Sequence, residues 1–163
     1  MRIALDAMGG DHAPQSVIRG AHLSLIHHPG VKFLIFGDKD QIGPLIHKHP
    51  QLEKVSEIFH TPNAVSGHEK PSVALRTGRD SSMQLAINAV KEGNADAAVS
   101  GGNTGALMAM SKLTLRTLPG IDRPAICSLF PTKKGQSVML DLGANSECDG
   151  DNLFQFAIMG EAF

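Results

Sequence analysis

The sequence predicts an α/β protein with three layers, in which helices cover both faces of a mainly parallel sheet. Short apolar runs alternate with segments of helical periodicity, the order that builds parallel sheets through right-handed crossovers. Three of the apolar runs end in polar, glycine-rich stretches, at Asp6–His12, Val99–Ala106 and Asp141–Asn145. We therefore expect these three loops to lie at the same edge of one sheet, where ligands of such folds collect.

The first third of the chain predicts three strands and two helices. Ile3–Leu5 is a short apolar run that predicts a buried strand, and Lys32–Phe36 and Val55–His60 predict the next two strands. A helix that ends at Pro29-Gly30 is predicted between the first two strands. A shorter helix, interrupted by a Gly-Pro pair, is predicted over 39–49. The first helix is indicated by apolar residues at helical spacing, which are Val17, Ile18, Ala21 and Leu25.

The middle of the chain is predicted to hold a ligand-facing segment and a well-defined helix. Residues 63–79 are polar and irregular, so we expect a mobile segment with one helical turn near Ser72–Leu75. Ser81 and Gln84 have the spacing of a capping box, which predicts the start of a helix. Gly93 is a natural C-terminal stop for it.

The last part of the chain predicts one further crossover and then a pair of strands. Ala97–Ser100 predicts a strand, and the helix after it ends at Pro119-Gly120. Ala125–Phe130 and Ser137–Leu142 predict two strands that a short turn could make antiparallel. Leu153–Phe163 reads as a largely apolar helix without a C-terminal cap. We therefore expect either a single α/β domain over 1–163 that pairs with a second copy, or the N-terminal portion of a longer α/β enzyme.

Composition excludes several classes of function. At 163 residues, 42% of them hydrophobic, the chain can bury a core. A net charge of -1, with no Trp and no Tyr, argues against nucleic-acid binding. Two cysteines do not make a disulfide framework, which favours a reducing compartment. No apolar run approaches the roughly 20 residues of a membrane span, and no signal-peptide pattern is present. We expect a cytoplasmic protein.

The glycine loops favour an anionic ligand. Glycine lets backbone amides approach an anion closely, and Asn103 and Thr104 add side-chain donors at a predicted helix start. The same Gly-Gly-Asn sequence also caps helices for structural reasons alone. No G-x-x-x-x-G-K-[ST] or G-x-G-x-x-G pattern is present, which argues against a phosphate loop of the NTPase type and a simple dinucleotide site.

Carboxylates at the same edge pose an electrostatic problem for an anion site. Asp6, Asp11 and Asp141 would repel an anion unless they accept hydrogen bonds from loop amides, pair with cations or bind a divalent metal. The nearby cations in the sequence are Lys70, Arg76 and Arg79. His12 and His68 could carry protons or bind phosphate, although surface histidines without a function are common.

Four stretches in order along the chain resemble one family closely. They are Asp6–Pro14, Asp80–Met83, Val99–Met108, and Asp141–Asn145 with Gln155–Gly160. The family is PlsX, the bacterial acyl-carrier-protein:phosphate acyltransferases of phospholipid synthesis, and the resemblance covers essentially the whole chain. Its members usually have Ala-Gly-Asn at Gly101-Gly102-Asn103, and a Val-Asp-Cys ending at Ser146-Glu147-Cys148. They are also considerably longer than this chain.

The resemblance implies transfer of a fatty acyl group from acyl carrier protein to inorganic phosphate, forming acyl phosphate. It implies a fold similar to the isocitrate and isopropylmalate dehydrogenases, a homodimer, and peripheral membrane contact with a downstream acyltransferase. We predict no cofactor and assign no metal-binding residue, and the sequence leaves metal dependence open. The alternatives are a metal- and NAD-dependent dehydrogenase of related fold, and a non-catalytic module that binds an anion or a carrier protein.

Combining the loops with the resemblance gives two sets of candidate site residues. The predicted catalytic residues, which orient substrate, hold loops or move protons, are Asp6, Asp11, His12, Asn103 and Asn145. The predicted phosphate- or substrate-binding residues are Gly9, Gly10, Lys70, Ser100, Gly101, Gly102, Thr104 and Asp141. We expect the 163-residue chain to be inactive when it is alone.

Overall fold

The chain divides into two units, Met1–Leu115 and Arg116–Phe163, in a computed structural model that describes residues 1–145 and 147–163. The family departure at Ser146 therefore lies outside the described residues. Each unit has its own secondary structure, and the first unit carries the parallel sheet.

The first unit is built on a four-stranded parallel sheet in the order β3-β2-β1-β4. Its strands are β1 (Arg2–Asp6), β2 (Lys32–Gly37), β3 (Ser56–His60) and β4 (Ala97–Ser100). The chain moves outward from β1 through β2 to β3, and then returns to the other side of β1 to form β4. Asp6 is consequently the register partner of both Phe36 and Ser100. The predicted parallel sheet is confirmed.

Helices cover both faces of this sheet, as the sequence predicts. They are α1 (Gln15–His27), α2 (Lys39–Ile46), α3 (Pro50–Glu53), α4 (Pro71–Thr77), α5 (Ser82–Lys91) and α6 (Thr104–Leu115). Alternate residues of a strand point to opposite faces. Leu5 accordingly packs in a core cluster with Ile18 of α1, whereas Ala4 packs in another with Ala86 of α5. None of the helices described is long and apolar enough to cross a membrane.

Two predicted boundaries in the first unit are wrong. The helix expected over 39–49, interrupted at Gly43-Pro44, is the continuous α2, which contains Pro44 and ends at Ile46. The four-residue α3 follows it and was not predicted. The expected irregular segment contains the seven-residue α4 instead of one turn, because Ala74 is fully buried. That alanine belongs to a third core cluster, which joins α4 to α5 and α6 through Met83 and Met110.

The second unit is a hairpin followed by a helix. Its strands β5 (Ser128–Thr132) and β6 (Gly135–Met139) pair antiparallel, which confirms the expected pair, and α7 spans Gly150–Ala162. Among the described residues β6 pairs with β5 alone, so the loop that begins at Asp141 does not follow a strand of the parallel sheet. The expectation that all three glycine loops lie on one sheet is therefore wrong. Only residues 133 and 134 connect β5 to β6, and a connection this short permits only antiparallel pairing of the two strands.

We predict that Ile35→Ala lowers the free energy of unfolding of the Met1–Leu115 unit by about 3 kcal/mol, measured by urea denaturation. Ile35 is a fully buried side chain of the core cluster that contains Leu5 and Ile18, and its truncation leaves a cavity between the sheet and α1.

The matched control is Ile26→Ala in α1, where the side chain is 66% exposed. Its effect should stay within about 0.5 kcal/mol. Equal losses for the two variants would show that the cluster around Ile35 is not the core of this unit.

Candidate functional site

The candidate site lies where β1 and β4 end side by side. The strand order reverses direction at this point, and ligands of open α/β sheets bind outside the carboxyl ends of the strands at such a position. Loop residues from 8–11, 64–68 and 101–104 enclose a cleft of about 560 Å³. The structure thus brings together two of the three predicted glycine loops and adds a third wall.

Asp6 is a buried carboxylate that organises the floor of this cleft. Its side chain is only 2% exposed, and its Oδ1 accepts hydrogen bonds from Ser82 Oγ at 2.5 Å and Met8 N at 3.2 Å. Its Oδ2 accepts from Ser100 Oγ at 2.6 Å. Buried carboxylates need such donors. Asp6 therefore holds the loops in place, as one of the alternatives predicted, and it does not line this cleft.

Ser82 is the residue of this network that the sequence did not single out. It is buried at the start of α5, 76 positions from Asp6 along the chain. The only signal for it was its place in the Asp80–Met83 stretch that resembles the family. The described residues show no ion pair between Asp6 and the cations considered as its partners, which were Lys70, Arg76 and Arg79.

Ser100 transmits this arrangement to the second glycine loop. It donates to Asp6 and accepts from the backbone N–H of Gly102 at 3.1 Å. The Ser100 hydroxyl thus both donates and accepts a hydrogen bond within the protein. Ser100 therefore positions the Gly102 peptide, and its predicted role in substrate binding stays a prediction.

The glycines allow the two loops to pack backbone against backbone. A Cβ on Gly9 would overlap Asp6 Oδ2 and would lie 2.6 Å from Ser100 Oγ and 2.9 Å from Gly102 N. A Cβ on Gly102 would lie 3.1 Å from Gly9 Cα. Gly10 has a φ of +112°, which favours glycine. Gly9 lies beneath the cleft, whereas Gly10, Gly101 and Gly102 line it.

Asn103 uses its whole side-chain amide within the protein. Its Oδ1 accepts from Ala106 N at 3.0 Å, which caps α6. Its Nδ2 donates to the carbonyls of Ser66 at 3.1 Å, Gly67 at 3.2 Å and Glu69 at 2.8 Å. The expectation that Asn103 donates to phosphate does not hold in this structure, because both amide hydrogens are engaged. We name this set of contacts the Asn103 clamp.

Four predicted polar residues differ in their relation to the cleft. Thr104 and Asp11 line it and are exposed, so their side chains are accessible to a ligand. His12 and Lys70 do not line it, and both are exposed. His68, which the sequence offered as a proton carrier, does line it. The cleft therefore holds one carboxylate, one imidazole and a hydroxyl beside the start of α6.

The start of α6 is the feature of the cleft that favours negative charge. The first N–H groups of a helix lack partners within it, and the helix dipole favours anions there. Thr104 begins this twelve-residue helix, and the loop glycines before it leave the backbone open to the cleft. Neither cysteine lines the cleft, and the described residues contain no group of three or more His, Cys, Asp or Glu placed to hold a metal ion.

Asp141 and Asn145 belong to the second unit, where they bind each other and the backbone of residues 124–126. Asp141 Oδ1 accepts from Ile126 N at 2.7 Å, and Oδ2 accepts from Asn145 N at 2.6 Å and Asn145 Nδ2 at 3.1 Å. Asn145 Nδ2 also donates to Pro124 O at 3.1 Å. The contacts seen here fix the loop, and the predicted roles in substrate binding and catalysis stay predictions.

These hydrogen bonds set the acidity of Asp141. Burial is the largest single influence and raises the pKa of the carboxyl. Hydrogen bonds from Ile126, Asn145 and Ala144 together outweigh it, so the pKa lies below its ordinary value of 3.8. The ionised form is therefore stabilised in the folded unit.

Comparison with known proteins places this chain in a family. The family model described as "Fatty acid synthesis protein" matches residues 1–163. A phosphate acyltransferase of Rhodospirillum centenum is 64% identical over 161 residues, which are 99% of this chain and 45% of that protein. One of Parvibaculum lavamentivorans is 58% identical over 164 residues, or 100% of this chain and 45% of that protein. The chain spans about half the length of the curated relatives it matches.

We predict that two substitutions at Asn103 separate helix capping from loop clamping. Asn103→Asp keeps an oxygen to accept from Ala106 N but loses the donors to the 66–69 carbonyls, whereas Asn103→Ala loses both. Hydrogen exchange should therefore quicken over residues 64–69 in both variants, and in the first turn of α6 only in the alanine variant, which also loses about 1 kcal/mol of helix capping.

Thr77→Val is the control, because it removes a hydroxyl bonded to Glu69 and Val73 without touching the clamp. If residues 64–69 stayed equally protected in Asn103→Asp, the clamp would not position the third wall of the cleft.

We predict that acid weakens the Arg116–Phe163 unit through Asp141. Because the folded pKa is lowered, the stabilisation is complete above the unfolded value and is lost as pH falls through the folded value. A carboxyl-carbon NMR titration should place Asp141 below 3.8. Asp141→Asn should be less stable than the unmodified chain at neutral pH, and the gap should narrow at low pH. A titration at or above the ordinary value would contradict this.

Proposed function

We propose, from the premise that this chain belongs to the PlsX family of fatty acid synthesis proteins, that it forms the phosphate-binding wall of an acyltransferase. The enzyme transfers a fatty acyl group from acyl carrier protein to inorganic phosphate. The observation that carries the proposal is the cleft at the ends of β1 and β4, where loop backbone and the start of α6 face one space. Relatives named phosphate acyltransferase support it.

The reaction requires little covalent chemistry from the protein. An oxygen of the phosphate dianion attacks the thioester carbonyl carbon, the new C–O bond forms, and the C–S bond breaks. The proton of the attacking phosphate passes to the departing thiolate, so the products are acyl phosphate and the carrier thiol. Because phosphate is the nucleophile, no covalent enzyme intermediate is needed. Orientation of phosphate and donors for the developing oxyanion supply the catalysis.

The cleft residues divide into contacting and positioning groups. Gly10, Gly101 and Thr104 contact phosphate or the oxyanion through backbone N–H groups and the Thr104 hydroxyl. Gly102, whose N–H is bonded to Ser100 Oγ, lines the cleft and stays a predicted contributor. Residues held in internal hydrogen bonds position them, and these are Asp6, Ser82, Ser100 and Asn103. Asp11 lines the same cleft, where its charge opposes phosphate binding, so the loop amides and the start of α6 must outweigh it. It stays a predicted catalytic residue. His12, Lys70, Asp141 and Asn145 stay predicted contributors of the complete enzyme.

Further properties follow from the family resemblance. We propose that acyl carrier protein is the acyl donor, that the chain is the N-terminal portion of a cytoplasmic homodimeric enzyme, and that no cofactor takes part. Its sheet is of the isocitrate and isopropylmalate dehydrogenase type. The acyl phosphate passes to a membrane acyltransferase through peripheral contact. These are proposed properties of the complete enzyme, of which the Met1–Leu115 and Arg116–Phe163 units are a part.

We predict that inorganic phosphate shifts the amide NMR signals of Gly10, Gly101, Gly102 and Thr104 in a saturable titration. Thr104→Val removes one hydroxyl donor to a charged ligand and should weaken phosphate binding by about tenfold.

Thr114→Val is the control, since it removes a hydroxyl from the last part of the same helix, where it accepts from Gln84 Nε2. Phosphate that left the four signals in place, or a nicotinamide cofactor that moved them instead, would contradict the proposal. Titration with acyl carrier protein, beside an acyl-phosphate assay, separates binding from turnover.

A further inference from the structure

We infer that an apolar groove next to the cleft binds the fatty acyl chain, an assignment that rests on the proposed acyl transfer. The groove has a volume of about 370 Å³ and lies between α1 and the β1–β4 part of the sheet. It belongs wholly to the Met1–Leu115 unit and is separate from the space that would hold phosphate.

The lining of the groove is carbon. Its walls are formed by Ile3, Leu5, Val17, Ala21, Phe33 and Val99. Two of its three polar side chains are already bonded: Ser24 Oγ donates to Ala21 O at 2.8 Å, and Asp6 accepts from two hydroxyls. The third, His28, is exposed at the far end. Between the ends, polar groups of a ligand would find no partners and would lose their hydration. The groove therefore suits a hydrocarbon.

The groove exists because one face of β4 is left uncovered. Val99 is the register partner of Leu5 and so points to the α1 face, yet it is 51% exposed. Parallel sheets normally have both faces covered. Gly20 of α1 widens the opening, because nothing lies within 4 Å of the position its Cβ would take. An apolar groove beside such an exposed strand face is typical of surfaces that bind a ligand or a partner.

The groove leads to the phosphate cleft. It extends along β1 from Met1 and His28 at one end to Asp6 and Gly101 at the other, and Gly101 also lines the cleft. The five residues of β1 span roughly 16 Å at the rise of a parallel strand. An acyl chain lying along β1 with its methyl end near His28 has its thioester carbonyl at Gly101. Phosphate in the cleft then lies beside the carbonyl carbon, as acyl transfer requires.

A fatty acyl chain fits this space better than a protein segment. A peptide backbone inserted into the groove would leave its N–H and C=O groups without partners, because the lining offers none. A hydrocarbon has no such groups. Each methylene buried contributes about 0.8 kcal/mol, which corresponds to roughly fourfold in affinity.

The experiment measures binding of cis-parinaric acid to this chain by fluorescence, and its displacement by saturated fatty acids from octanoate to palmitate. The affinity should rise by up to about fourfold for each added methylene until the groove is filled. Gly20→Leu should lower palmitate affinity at least tenfold, because its side chain fills the groove. The variant should fold, since leucine favours a helix interior over glycine.

Gly43→Leu is the matched control. Gly43 is also a glycine inside a helix with nothing within 4 Å of its Cβ position, and it does not line the groove. Palmitate should bind this variant as it binds the unmodified chain. Phosphate should shift the loop amides equally in both variants, which keeps a failure of the acyl site distinct from a failure of the proposed function.

Three outcomes would overturn the assignment. The first is palmitate affinity that does not change in Gly20→Leu. The second is affinity that does not rise with chain length. The third is a dimer of the unmodified chain that Gly20→Leu dissociates without any fatty acid binding, which would assign the groove to a second copy. Phosphate that failed to bind while palmitate bound as expected would leave the groove standing and refute the phosphate cleft.

Discussion

The Met1–Leu115 unit depends on one buried carboxylate. Asp6 ends β1 and accepts hydrogen bonds from the hydroxyls of Ser82 in α5 and Ser100 in β4. Burying a carboxylate is costly unless donors surround it. The strand end, the helix start and the neighbouring strand must therefore meet at one point. Gly9 has no room for a side chain because that point is already filled. The position of both glycine loops follows from this network.

The network also explains how polar and apolar space lie so close together. The Asp6 carboxylate faces inward to its hydroxyl donors and so leaves the groove beside α1 apolar, although Asp6 contributes to its wall. The cleft on the other side of Gly101 presents backbone amides. An apolar reactant in the groove and an anionic reactant in the cleft can thus approach the Gly101 peptide from two directions. The proposed acyl transfer needs this juxtaposition.

Much of the sheet could be predicted from the sequence, whereas the roles of several site residues could not. Apolar runs alternating with helical periodicity identified all four strands of the sheet, and β1 and β2, which contain the most buried residues, have the clearest apolar runs. The partners of Asn103 are carbonyls of residues 66–69, and a carbonyl has no signature in sequence. In the sequence Ser82 is an ordinary residue of a helix start, and its role depends on the hydrogen bond that it donates to the distant Asp6. The Asp141 loop was misplaced because an apolar run before a glycine reads alike in a hairpin and in a parallel strand.

The Asn103 clamp has a consequence for how this protein can vary. It binds main-chain oxygens, which every amino acid carries, and it makes no use of the side chains of Ser66 or Glu69. Substitutions of Ser66 or Glu69 therefore leave the acceptors of the clamp in place, although each side chain makes another hydrogen bond. The lineage could therefore alter the chemistry presented by one wall of the cleft, substitution by substitution, without rebuilding the scaffold that holds it.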